Sequence, residues 1–249
     1  MRTYIKLFLA AVFLCYGSID GAQAQTRSQE KVEKVYRQSF AFGMISSNRG
    51  YGLQAVYLRG IGNRQLYIGV DTRFVRSLFE TKINPIYSND LRYVFGKRNY
   101  FFTVRPEVGF SYNFIPQSAL NLLDIKVGFA LSPVLGFTTP YYIQICDGNT
   151  SQVCSAVPFD PSIHTYQSIA GRAPFFSGEF SPKFHPGIGG KLFATIDIGG
   201  GESFISAIRF ETTTDLFLQD IPIMMESENL SNQQIFLSFN VSFLMGGKW

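Results

Sequence analysis

The chain of 249 residues is 46% hydrophobic, 16% aromatic and 16% charged, with a formal charge of +4. That apolar content excludes a disordered chain, and the modest charge, carried by dispersed Lys and Arg, argues against a nucleic-acid partner. Twenty-five Phe and thirteen Tyr against one Trp, with 23 Gly, favour aromatic-rich strands over helices, in one large β domain or two small ones.

Residues 1–24 read as a secretory signal peptide. Arg2 and Lys6 form a basic start, "LFLAAVFLCYG" an apolar run, and Ala22 and Ala24 the small residues before a cut at Gln25. The run is too short for a transmembrane helix, which needs about 20 residues. Cys15 follows Leu14 where a lipoprotein processing site prefers a small residue, so a lipid anchor is not expected.

Residues 25–249 form the mature domain, and no part of it has 18 consecutive apolar residues. If it spans a membrane, it must do so as a closed barrel, the other structure that satisfies every backbone group in lipid. Period-two alternation recurs along the chain. Phe40, Phe42 and Met44 share a face in "YRQSFAFGMI", as do Leu53, Ala55 and Tyr57 in "YGLQAVYLRG". "QLYIGVDTRF" sets Leu66, Ile68, Val70 and Phe74 against Asp71 and Arg73. In "YFFTVRPEVGFSYNF", Phe102, Val104, Val108, Phe110 and Tyr112 oppose Thr103, Arg105, Glu107, Ser111 and Asn113. "LLDIKVGFALS" opposes Leu123, Ile125, Val127, Phe129 and Leu131 to Asp124, Lys126 and Ser132. "GIGGKLFATIDIG" opposes Ile188, Leu192, Ala194, Ile196 and Ile198 to Lys191, Thr195 and Asp197. "SFISAIRFETT" opposes Phe204, Ile208 and Phe210 to Arg209 and Glu211. The closing "IFLSFNVSFLMGGKW" alternates Ile235, Leu237, Phe239, Val241, Phe243 and Met245 with Ser238, Asn240, Ser242 and Gly246.

A water-soluble sandwich also alternates, with its apolar face inward. The signal peptide, the wide aromatic faces and the terminal Trp249 favour the inverted arrangement, an all-β, transmembrane, antiparallel up-and-down barrel with apolar residues toward lipid. The segments 36–46, 51–60, 65–75, 100–114, 122–138, 187–199, 203–214 and 233–246 make eight strands. Even parity and periplasmic termini then leave long outer loops at 76–99, 139–186 and 215–232, with "NDLRYVFG" inside the first of them. Ten strands stay open if 139–186 contributes a further pair.

Eight strands enclose a lumen that side chains fill. Its inward set is Arg37, Arg73, Arg105, Lys126, Lys191 and Arg209 against Asp71, Glu107, Asp124, Asp197 and Glu211. Charges in a narrow low-dielectric space need partners, so these are expected to form an ion-pair network that plugs the barrel. Cys146 and Cys154 in "CDGNTSQVC" read as a disulfide stapling the longest loop; the rival metal site has no CxxC and His164 as its nearest histidine. That loop, with "PYYIQI" and "APFF", reads as a binding surface or a lid.

Catalytic chemistry has few candidates. His164 and His185 lie in or beside the long loop, with Ser162, Ser168, Ser177, Asp160 and Glu179 nearby, but no nucleophile elbow or HExxH occurs. "GIGGKLF" lacks the phosphate-loop spacing. No catalytic residue, cofactor or metal is therefore assigned.

The strings "YVFGKRNYFFTVRPEVGF", "TTPYYIQI", "GEFSPKFHPGIGGKLFATID", "IPIM" and "FLMGGKW" resemble a group of largely uncharacterised Bacteroidetes outer-membrane β-barrel proteins over most of residues 36–249. The resemblance implies a location in the bacterial outer membrane and carries no activity with it. The terminal strand, with Phe239, Val241, Phe243 and Trp249, is similar to the signal read by the barrel-insertion machinery. The expected partners are thus outer-membrane lipid, that machinery and an envelope assembly or secretion complex bound through the outer loops. A lipid-modifying barrel enzyme and a small-solute channel are the alternatives.

Overall fold

A computed structural model describes residues 38–61, 64–85, 92–115, 124–146, 154–175, 177–178, 181–198, 203–226 and 231–249. The signal segment and Arg37 lie outside these residues. In chain order the strands are β1 (Gln38–Ser47), β2 (Gly50–Ile61), β3 (Arg64–Val75), β4 (Lys82–Ile83), β5 (Tyr93–Val94), β6 (Asn99–Ile115) and β7 (Asp124–Pro140). There follow β8 (Tyr142–Cys146), β9 (Cys154–Pro158), β10 (Gly171–Arg172), β11 (Lys183–Asp197), β12 (Phe204–Ile221) and β13 (Gln233–Lys248).

Eight of these close an antiparallel barrel in the order β1-β13-β12-β11-β7-β6-β3-β2. Each is paired to its sequence neighbour among the eight, and the first and last strands form the seam, from Ser39 opposite Lys248 to Ser47 opposite Asn240. The seam extends one step further, because the Gln38 amide donates to the Trp249 carbonyl at 3.1 Å and the Trp249 amide to the Gln38 carbonyl at 3.0 Å. The ten-strand option is closed: residues 139–186 do supply strands, but β8, β9 and β10 form a separate sheet, and β4 pairs only with β5.

The side-chain distribution is inverted relative to a soluble protein. Met44, Val108, Leu131, Leu192, Phe239 and Phe243 are exposed on the wall, whereas Asp71, Arg105, Glu107, Lys191 and Glu211 are buried within it. This is the arrangement of a membrane-spanning barrel. About 10 residues of a tilted strand cross an apolar band of roughly 25 Å. The five strands β6, β7, β11, β12 and β13, at 15 to 18 residues, carry the wall beyond that band.

That extension corrects three sequence boundaries. β7 runs on to Pro140, β11 begins at Lys183, and β12 continues to Ile221 instead of stopping at Thr214. Near these ends the period-two pattern breaks: Lys183 is exposed although it shares a face with buried His185, and Leu218, Gln219 and Asp220 are exposed in succession where the β12–β13 register shifts. Two residues placed in loops by sequence therefore belong to the wall: Asp215 faces inward, and His185 is a buried β11 residue.

Candidate functional site: a filled lumen beneath an outer cap

The inward positions form three levels. At the middle, Lys191 Nζ lies 3.0 Å from Asp71, 2.8 Å from Glu107 and 3.6 Å from Glu211. Arg73 pairs with Asp71 through its guanidinium edge and donates to Thr213 Oγ1 at 2.9 Å. Arg105 bridges Glu107 at 3.5 Å and Asp215 at 3.2 Å. Arg209 donates to Thr195 Oγ1 at 2.8 Å and lies over the Phe193 ring at 4.7 Å, while the Tyr67 hydroxyl donates to Glu107 at 2.9 Å. The contributing strands are two neighbouring pairs, β3–β6 and β11–β12, separated by β7 on one side and by β2, β1 and β13 on the other, so the set braces the barrel across its lumen.

The remaining inward charges stand apart from this network. Asp124 pairs with Lys126 at 3.2 Å, and Asp197 with Lys248 at 2.5 Å, toward the end where the strand connections are short. Among the described residues, six cations and six carboxylates take part in lumen ion pairs. Asp215 and Lys248 are the members that sequence reading missed. Each lay beyond the strand end assumed for it, and continued alternation was the signal that could have found them.

Apolar side chains seal the charged level from both sides. Toward the long loops, Phe101, Phe217 and Phe236 pack ring on ring at 5.4–5.6 Å, joined by Val134 and covered by Ile221, Ile223 and Met224. Arg49, from the β1–β2 turn, lies over Phe236 at 5.3 Å and donates to the Leu237 carbonyl at 2.9 Å. Gly50 closes that turn at φ +148°, where a Cβ would come within 1.9 Å of the Phe74 carbonyl oxygen. Toward the short turns, Ala41, Ile205, Ala207 and Leu244 fill the lumen around a cavity of about 20 Å³. That volume suits a single water molecule.

Above the barrel the loops form an ordered cap. β8, β9 and β10 make a small sheet in which Cys146 and Cys154 are paired in register and disulfide-bonded. Tyr93, Tyr100, Tyr141, Ile143, Phe159 and Ile169 are its core. Backbone bonds join the loops: Tyr141 N to Arg98 O at 2.8 Å, Arg98 N to Ile223 O at 2.9 Å, and Met225 N to Gly96 O at 2.7 Å. The described parts of the loops after β3, β7 and β12 are thus one body fixed to the rim.

The serine and histidine candidates do not assemble into a hydrolytic site among the described residues. Ser162 donates its hydroxyl to Asp160 at 2.6 Å, while His164 Nδ1 accepts the Asp160 amide at 2.9 Å. Serine and histidine are therefore both committed to one exposed turn, in which hydrogen bonds from the Ser162 hydroxyl and amide hold the Asp160 carboxyl below its usual range. Ser168 and Ser177 bond to backbone carbonyls of Thr165 and Pro174. His185 meets Thr138 Oγ1 at 2.9 Å, with no hydrogen-bond partner on Nδ1. Glu179 lies outside the described residues. No group of acidic, His and Cys side chains able to hold a metal occurs among those described.

Phe239, Val241 and Phe243 face outward on β13, and Trp249 is exposed at its end. No protein-family model and no curated protein matches the chain. Two solved structures run along most of it. Ail, the attachment invasion locus protein of Yersinia pestis, solved in complex with the heparin analogue sucrose octasulfate, is 8% identical over 85% of this chain and 97% of its own, with a TM-score of 0.42. Neisserial surface protein A is 11% identical over 85% of this chain and 95% of its own, with a TM-score of 0.44. At these values the likeness carries no functional inference.

Proposed function

We propose that this chain is a non-enzymatic bacterial outer-membrane barrel whose cap binds a protein partner in an envelope assembly or secretion complex. The pairing of a filled lumen with a cap knitted from three loops carries this reading. A lumen blocked by aromatic, ionic and aliphatic levels favours a mount over a conduit, and a cap with its own core and disulfide favours a fixed surface. The cap leaves Leu78, Phe79 and Ile163 exposed, at 56%, 54% and 72%. Apolar side chains displayed to water in a rigid frame suit a protein interface. With Gln38 and Trp249 at the short-turn end, the cap faces outward and Trp249 lies at the periplasmic interface.

Gentle solubilisation of native membranes, with crosslinking through the cap, tests the reading. A stable heterocomplex that is lost on Phe79→Asp and Ile163→Asp substitution is the expected result; a barrel recovered alone under these conditions overturns it. In planar bilayers the pure protein is expected to be silent, and large conductance steps would refute the closed lumen.

A further inference from the structure

Five cations converge on one place outside the lumen. Arg76, Lys82, Arg92, Lys97 and Arg172 line a cleft of about 360 Å³ at the rim of β2, β3 and β6, with Glu80 as its carboxylate. Sequence gives no hint of this, since the residues come from two loops and are dispersed along the chain. Lys97 is held by Glu80 at 2.7 Å and lies over the Tyr100 ring at 5.0 Å. Burial pushes its ammonium below the usual lysine range, Arg76 and Arg172 press the same way, and Glu80 opposes them. Lys97 is buried and paired with Glu80, Arg76 is half-buried, and Lys82, Arg92 and Arg172 are exposed, so the cleft presents an excess of accessible positive charge; its volume falls within the roughly 300–1,000 Å³ of small-molecule sites.

The floor of the cleft identifies the occupant's other half. Tyr51, Phe74 and Phe102 are paired across β2, β3 and β6 on the outward face, with rings 5.5 and 5.1 Å apart. Arg76 lies over both Tyr51, at 5.6 Å, and Phe74, at 5.7 Å. Below this aromatic row the same face continues as Leu53, Thr72 and Val104, then Ala55, Val70 and Pro106, then Tyr57, Ile68 and Val108. Cations, aromatic belt and apolar stripe therefore succeed one another down a single strip of wall, in the order of the parts of an anionic amphiphile.

We infer that this cleft binds the phosphorylated headgroup of an outer-leaflet lipid, whose acyl chains lie along the β2–β3–β6 stripe. The inference rests on the membrane placement proposed above. The stripe is part of the lipid-facing wall, so the cleft opens directly onto the place where acyl chains already lie.

The test is lipid retention by the full chain in phosphatidylcholine nanodiscs doped with bisphosphorylated lipid A or with its dephosphorylated form, read by native mass spectrometry. The wild type is expected to retain the phosphorylated lipid at least tenfold better. Arg76→Gln and Arg172→Gln are each expected to weaken retention by about tenfold, the scale of one charge-assisted hydrogen bond. Arg59→Gln, at the far end of β2, should not. Arg172 is exposed, so its variant reports on binding without disturbing packing. Equal retention of both lipids, or unchanged retention in both cleft variants, overturns the inference. So does displacement by inorganic phosphate or a soluble sulfated polysaccharide with no preference between the lipids. Heat-modifiable migration is checked in parallel: a barrel that inserts without discriminating sinks the lipid site alone, and one that does not insert sinks the membrane placement as well.

Discussion

Lys191 is the most informative single position in the lumen. Its ammonium is 2.8–3.6 Å from three carboxylates, and its side chain is 1% exposed. Lys191→Met keeps much of the volume and removes the charge, leaving Asp71, Glu107 and Glu211 short of one cation. Breaking a buried ion pair from one side costs about 3–5 kcal/mol. Asp71 retains Arg73, and Glu107 retains the Tyr67 hydroxyl at 2.9 Å, which points to the lower end, about 3 kcal/mol. With a urea dependence of about 2 kcal/mol/M, the unfolding midpoint should fall by about 1.5 M. The assay is urea unfolding in phosphatidylcholine vesicles, followed by fluorescence of Trp249, the sole tryptophan, and by heat-modifiable migration. Adding Glu107→Gln removes the surplus negative charge and should recover part of the loss. A shift below about 0.3 M, or a double variant whose losses simply add, would refute the view that the network is held by charge compensation.

Replacing Cys146 and Cys154 by Ser should cost about 2–3 kcal/mol of cap stability. Hydrogen exchange over 141–175 should accelerate while heat-modifiable migration is unchanged. Phe217→Ala should destabilise the barrel by about 3–4 kcal/mol in the same urea assay, yet planar bilayers should stay silent because the ionic level beneath is intact. Cap stability should also respond to pH. The folded cap holds Lys97 below its ordinary pKa, so between the two values the opened cap binds more protons, and protection should rise as pH increases toward 10. Tyr93 and Tyr141 are pushed up by burial, so above about 10 the opened cap loses their protons first and protection should fall again. Lys97→Met should flatten the rising limb alone in exchange measurements across that range.

The wall was readable because a lipid-facing strand must alternate and a lumen-facing charge must interrupt it. Asp71, Arg73, Arg105, Glu107, Asp124, Lys126, Lys191, Asp197, Arg209 and Glu211 could all be assigned a face from two neighbours each. Their partners could not, because barrel closure decides them. Arg73 meets Thr213 across 140 residues of chain, and Arg105 meets Asp215 across 110. Aromatic plugging was invisible for a related reason. Phe101 and Phe217 follow the inward parity, but a phenylalanine in an alternating strand is read first as a lipid-facing residue. The cleft cations carry no periodic signal at all, since loop packing against Tyr141 and Tyr100 is what gathers them.

The seam between Gln38 and Trp249 sets a kinetic condition on biogenesis. Its two strands are the most distant in the chain, so their pairing has the largest loop-closure cost of any in the wall and belongs to the slow class of non-local contacts. Until the final residues are available, β1 and the growing sheet both present open edges that invite pairing with other chains. The barrel therefore cannot be finished piecemeal during synthesis. An interrupted chain that lacks β13 is left with two sticky edges and no seam, a state that quality control can distinguish from the finished product by its exposed backbone alone.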